Sequence, residues 1–150
     1  MCFFNLFKKK NAQFILDYPH ITITDDFLLL KTDLRKADIS YKKVTSGYIC
    51  FSGKIPGYDT EIEIGIHALG TVITSIEIFR PVEYYQSSDF DIYRSYKDFS
   101  SVLEKQYGKP LIRLPKDSYG QIREKWVKPY KIDHYIFERF GLEEHLTISL

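Results

Sequence analysis

The sequence predicts an α+β fold: a single domain over residues 1–150, built from antiparallel β meanders with an amphipathic helix at about 95–107 and an N-terminal helical segment packed on one face of the sheet. Three observations predict it. Apolar residues alternate with period two in two separate clusters. The connections inside each cluster are too short for the crossover that parallel strands need. Between the clusters lies one segment whose apolar residues recur at helical spacing. Strands, then a helix, then strands is the α+β order rather than alternating βαβ. At 150 residues the chain suits one domain and buries a core without disulfide staples. No internal repeat, low-complexity tract or linker is visible.

The opening Met1-Cys2-Phe3-Phe4-Asn5-Leu6-Phe7 followed by Lys8, Lys9 and Lys10 is apolar first and basic second. A secretory signal runs in the opposite order. Residues 1–17 are expected to form a helical cap folded onto the body, with Phe7, Phe14 and Ile15 on one face; the alternative is a weak membrane-surface foot. His20–Thr24 follows Pro19 and reads as a short strand. Phe27, Leu30 and Leu34 have helical spacing, with Thr24 or Asp25 available as a cap. The run Phe27–Leu30 would also suit a buried strand, and the spacing favours the helix slightly.

The first meander follows. Tyr48–Ser52 is a strand, Pro56-Gly57 a turn, and Glu61–Ile66 alternates so that Ile62, Ile64 and Ile66 share one face. His67–Gly70 reads as a connection to a third strand, Thr71–Arg80, with Ile76 and Ile78 on one face and Glu77 and Phe79 on the other. After a polar aromatic loop to Tyr93, Ser95-Tyr96-Lys97-Asp98 resembles a capping box. Tyr96, Phe99, Val102, Leu103 and Tyr107 then form one stripe, Gly108 suits the C-terminal cap and Pro110 stops the helix. Burying five such side chains at about 1.5–3 kcal/mol each rivals the net stability of a domain, so the helix must pack on the isoleucine face. The second meander comprises Ile122–Val127, Lys131–Arg139, a turn at Phe140-Gly141, and a closing strand from His145 in which Leu146, Ile148 and Leu150 face inward.

Composition excludes several classes. Hydrophobic residues are 44% and charged residues 27%, which rules out disordered, collagen-like and coiled-coil chains. The net charge of +1 gives no global field toward nucleic acid or membrane. No run of 18 apolar residues exists for a membrane span, and the expected location is the cytoplasm. Cys2 and Cys50 do not make a disulfide framework, and Cys50, between Ile49 and Phe51, reads as an inert buried thiol. His20, His67, His134 and His145 form no short ligand pair with each other or with the cysteines. No metal, cofactor or catalytic residue is assigned.

Two segments stand out. Residues 83–94 gather Glu83, Tyr84, Tyr85, Asp89, Phe90, Asp91, Tyr93 and Arg94. Tyrosine and arginine are enriched at interface hot spots, and the excess of acids fits a basic partner. Residues 109–131 carry seven basic residues against two acids, interleaved with Tyr119, Trp126 and Tyr130, a composition that can track a nucleic-acid backbone. The expected function is a non-catalytic protein-binding module of inhibitor or immunity type, neutralising a basic toxin or nuclease through 83–94. The alternatives are a nucleic-acid accessory protein using 109–131, and a small hydrolase using Glu138 and His145 near the last hairpin, where Glu143 and Glu144 also lie. An exposed edge strand, His20–Thr24 or the C-terminal strand, offers a route to a homo-oligomer.

Overall fold

The computed structural model describes residues 13–150. The elements run β1 (Phe14–Ile15), β2 (Thr22–Ile23), α1 (Phe27–Lys36), β3 (Lys42–Thr45), β4 (Tyr48–Gly53), β5 (Ile62–Leu69), β6 (Val72–Phe79), α2 (Val82–Gln86), α3 (Ile92–Tyr107), β7 (Ile112–Leu114), β8 (Ile122–Trp126), β9 (Lys131–Glu138) and β10 (Leu142–Ser149). β3 to β10 form one antiparallel sheet in the order β3-β4-β5-β6-β10-β9-β8-β7. The fold is therefore α+β, with both meanders joined edge to edge at β6 and β10. The inward residues of the strands and those of α1 and α3 share one core, so both helices cover the same face. Among the described residues, no helix is long and apolar enough to cross a membrane.

The order of elements repeats. Setting aside the β1–β2 hairpin and the short α2, each half is a long helix followed by four strands, and the register makes the halves superimposable on paper. Glu77 lies opposite Thr147, with Ile76 opposite Ile148 and Ile78 opposite Leu146. A two-fold axis through the Glu77–Thr147 pair carries Ile76 onto Leu146 and Ile78 onto Ile148. One strand out, Ile64 and Ile66 map onto Ile132 and His134. The next strand maps Ile49 onto Glu124 and Phe51 onto Trp126. The edge strands complete the series, with Lys42 mapping onto Ile112 and Lys43 onto Arg113. Both long helices are capped by an aspartate, Asp26 in α1 and Asp91 in α3. The internal repeat is thus one of topology and register, carried by pairings that side-chain identity conceals.

Several boundaries differ from the sequence reading. Residues 13–17, expected to end a helical cap, instead contribute β1. Its Phe14 pairs with Ile23 and is buried, so the two-residue hairpin gains its core contact without helical spacing. The earlier part of that cap lies outside the described residues. The sequence places the start of α3 at Ser95; it starts at Ile92, because the Asp91 carboxylate accepts from the backbone N–H groups of Tyr93 and Arg94 and supplies the cap four residues ahead of Ser95. α1 is helical as its spacing suggests, but Asp26 is the cap, accepting from Leu29 N–H at 2.9 Å. His67–Leu69 continue β5 through an irregularity rather than leaving the sheet. β3 and β7 are additional strands, and neither has a buried side chain, which explains why no inward-facing apolar alternation announced them. At the far end of α3, Gly108 takes φ 80° and its N–H bonds to the Glu104 carbonyl at 2.8 Å, as the terminating glycine should.

Candidate functional site

Segment 82–94 is the short helix α2, a turn and the first residues of α3 rather than an open loop. Its order comes from beneath. Arg80 is only 3% exposed. Its guanidinium lies 4.4 Å from the ring centre of Tyr84, 4.2 Å from Phe99 and 5.3 Å from Tyr58, a cation–π arrangement strengthened by burial. Nε donates to Ser95 Oγ at 2.8 Å and Nη2 to the Ser95 carbonyl at 3.2 Å, while Nη1 donates to the Tyr58 hydroxyl. The Arg80 backbone N–H donates to the Tyr85 hydroxyl at 3.1 Å. Tyr84, Tyr85 and Phe90 then meet edge to face at 5.3–6.0 Å. Burial raises the Tyr85 phenol above its ordinary value, opposed by the Arg80 hydrogen bond.

The structure separates the eight candidate residues into four roles. Glu83, Asp89, Arg94 and much of Tyr85 face solvent, and Val82 beside them is also exposed. Tyr84 and Phe90 are half-buried supports. Asp91 is spent as the cap, and Tyr93 turns away: its hydroxyl donates to the Gly120 carbonyl at 2.8 Å, with the Lys116 ammonium over its ring at 4.1 Å. Tyr93 therefore ties the loop at 116–120 to the start of α3.

Beneath this surface runs a buried polar chain. Ser95 Oγ accepts from Arg80 and donates to Glu144 Oε2 at 2.5 Å. Glu144 Oε1 lies 2.8 Å from Nε2 of His134; a carboxylate can only accept, so the imidazole donates there. On its other side, His134 Nδ1 faces Glu124 Oε2 at 3.5 Å, too far for a good hydrogen bond, and neither atom has another partner among the described residues. Glu124 Oε1 accepts from Ser100 and from Arg113 Nε, each at 2.9 Å, and Arg113 continues to Glu104 at 2.7 Å. Tyr96 stacks on the imidazole at 3.9 Å. Burial raises the Glu124 carboxyl, but the nearby His134 imidazole, the Ser100 hydrogen bond and the Arg113 guanidinium outweigh it and hold it below its ordinary value. Burial first, then the negative charges of Glu124 and Glu144, push the Tyr96 phenol far up.

The centre of this chain is sealed, and only its Arg113–Glu104 end reaches solvent. The His134 side chain is 0% exposed, Glu124 4% and Glu144 5%. Its chemistry is that of a structural strut that pins α3 to β8, β9 and β10. Sequence reasoning treated the three residues separately, yet a signal existed: each occupies an inward position of an alternating strand. The missing information was register. His134 lies opposite Leu146, one residue from the position a turn centred between Phe140 and Gly141 implies.

The remaining candidates are dispersed. Glu138 is exposed and lies opposite Leu142, whereas His145 lies opposite Tyr135, stacks on it at 5.1 Å and faces Glu143 at 3.4 Å; the structure does not pair Glu138 with His145. Within 109–131, Trp126 is buried with its indole N–H on the Gly108 carbonyl at 2.8 Å. Tyr130 packs against Phe14 and Tyr107, so only Tyr119 of that trio stands in solvent. Arg113 is committed to Glu104 and Glu124, and Arg123 to Asp133. On the uncovered face of the sheet, Tyr48 stacks on His67 at 4.2 Å and both reach Glu77, at 3.2 and 3.1 Å. No protein-family model, curated protein or solved structure matches the chain.

Proposed function

We propose that the chain is a non-catalytic protein-binding module that presents Val82, Glu83, Tyr85 and Asp89 to a basic protein partner, in the manner of an inhibitor or immunity protein. The observation that carries this reading is the buried Arg80 clamp. It fixes an exposed aromatic and acidic segment before any partner arrives, which reduces the ordering cost of association. The sealing of the Glu124–His134–Glu144 cluster supports the non-catalytic half of the proposal, because no reacting group can approach it without opening α3.

The test is affinity capture from a host lysate with the immobilised parent, a Glu83→Lys/Asp89→Lys variant, a Tyr85→Ala variant and a Leu69→Ser control on the far hairpin. The proposal expects a basic protein on the parent and the control, loss of that protein with the charge-reversed pair, and a drop of about 30-fold or more in affinity with Tyr85→Ala if it is a hot spot. The charge-reversed pair capturing the same protein as the parent with equal affinity contradicts it.

A further inference from the structure

The two edges of the sheet are equivalent under the internal two-fold, yet they are finished differently. β3 presents Lys42, Lys43, Val44 and Thr45; lysines on an edge are a common guard against pairing with another chain. β7 presents Ile112 where β3 has Lys42. Leu111, Ile112 and Leu114 are 68%, 43% and 53% exposed, and among the described residues β7 is bonded to one neighbour only, β8. Beside it is a groove of about 430 Å³ that mixes apolar and polar lining, Leu114, Pro115, Tyr135 and Phe137 with Arg123 and Gln121.

From this we infer that β7 is a self-pairing edge whose occupant is a second copy of this chain. A three-residue strand has one symmetric antiparallel register, centred on Arg113. In that register Ile112 of each copy stands opposite Leu114 of the other, two apolar cross-strand pairs on the face of the groove. The partner copy's Ile112 then lies beside Leu114 at the groove's mouth. Like charges directly opposite oppose pairing, but each Arg113 carries its own counter-ions, Glu104 at 2.7 Å and Glu124 at 2.9 Å, so two ion pairs meet rather than two bare cations. Pro110 and Pro115 bracket the strand and prevent a longer or slipped ladder. The contact is isologous, so it consumes β7 on both copies. The lysines of β3 keep the other edge from extending the pair into a filament. The product is a closed dimer with a continuous sixteen-stranded sheet.

Sedimentation velocity on the full chain over a wide concentration range tests this. The expected result is a monomer–dimer equilibrium for the parent and for Val44→Lys on β3, and a monomer at every concentration for Ile112→Lys and Leu114→Lys, with unchanged far-UV circular dichroism. In a Cys2→Ser/Cys50→Ala background, Arg113→Cys is expected to oxidise to a covalent dimer. Opposed residues bring their Cα atoms to about 4.5–5.5 Å, within disulfide reach. Thr45→Cys is expected to remain reduced. A parent that stays monomeric overturns the inference. So does a dimer that survives Ile112→Lys, or dimerisation seen only after removal of residues 1–12, which would mean that the chain's own N-terminal segment covers the edge.

Discussion

Replacing His134 by isoleucine, the residue its equivalent Ile66 already is, should be costly alone and nearly free in company. His134→Ile removes the donor at 2.8 Å from Glu144 Oε1 and the imidazole facing Glu124 Oε2. It leaves two carboxylates whose side chains are 5% and 4% exposed. Ser95 still serves Glu144, and Ser100 and Arg113 still serve Glu124, so the loss is one shared partner, not the whole network. Breaking a buried charged group in this way costs about 3–5 kcal/mol, a third or more of a typical domain's stability. The triple variant Glu124→Ile/His134→Ile/Glu144→Ile removes both orphaned carboxylates as well, and at 124 and 134 it restores the isoleucines of the first half, Ile49 and Ile66. Wholesale apolar replacement of a buried ionic cluster is often neutral or stabilising, so the triple variant should return to within about 1 kcal/mol of the parent. Urea unfolding followed by the fluorescence of Trp126, the chain's one tryptophan, measures both. The linear-extrapolation slopes should be unchanged if the native state is intact. A triple variant as unstable as His134→Ile, or a single variant within about 0.5 kcal/mol of the parent, would contradict a polar strut in the second half where the first carries packed aliphatic side chains.

Other consequences can be checked with the same unfolding assay. Asp91→Ala should cost about 0.5–2 kcal/mol as a lost helix cap, whereas Asp98→Ala, on the exposed side of α3, should stay within about 0.5 kcal/mol; the reverse order would restore a helix start at Ser95. The Glu124 carboxyl is held below its ordinary value in the fold. Its stabilising contribution is present above the unfolded glutamate value of about 4.3 and is lost as pH falls through the lower folded value. The parent's urea midpoint should therefore fall more steeply on acidification than that of Glu124→Gln, and parallel profiles would contradict the assignment. Gly65→Ala would set a Cβ 2.8 Å from Tyr48 Cε2 and 2.9 Å from its hydroxyl, forcing the ring off His67 and Glu77. Overpacking of this kind costs about 1–3 kcal/mol, and a neutral result would show that the Tyr48 ring is free to move.

Much of the fold was legible because its cause is local. Ile62, Ile64 and Ile66 alternate, and Phe27, Leu30 and Leu34 recur at helical spacing; all six are buried as their periods demand. The second meander was legible for the same reason. What could not be read was set by distant partners. β3 and β7 are strands because β4 and β8 offer them hydrogen bonds, not because their exposed side chains alternate. Asp91 and Ser95 are both plausible caps by composition, and the choice was made by Arg80 and Glu144, which claim Ser95 from other elements. The 83–94 segment was visible as a composition, but not its division into clamped supports and exposed contacts, because the clamp is a single arginine at the end of β6. The internal repeat escaped detection for a related reason: the two-fold pairs Ile66 with His134 and Ile49 with Glu124, and only strand register reveals the equivalence.

The proposed docking of another protein on the surface over Arg80 is open to direct measurement. The most direct measurement is a titration of the isotope-labelled chain with the captured basic protein, read by backbone amide shifts. The largest changes are expected on Val82–Asp89, with smaller ones at 116–120 relayed through Tyr93, while the outer face around Tyr48, His67 and Glu77 stays silent. Changes centred on that outer face, with Val82–Asp89 undisturbed, would contradict it.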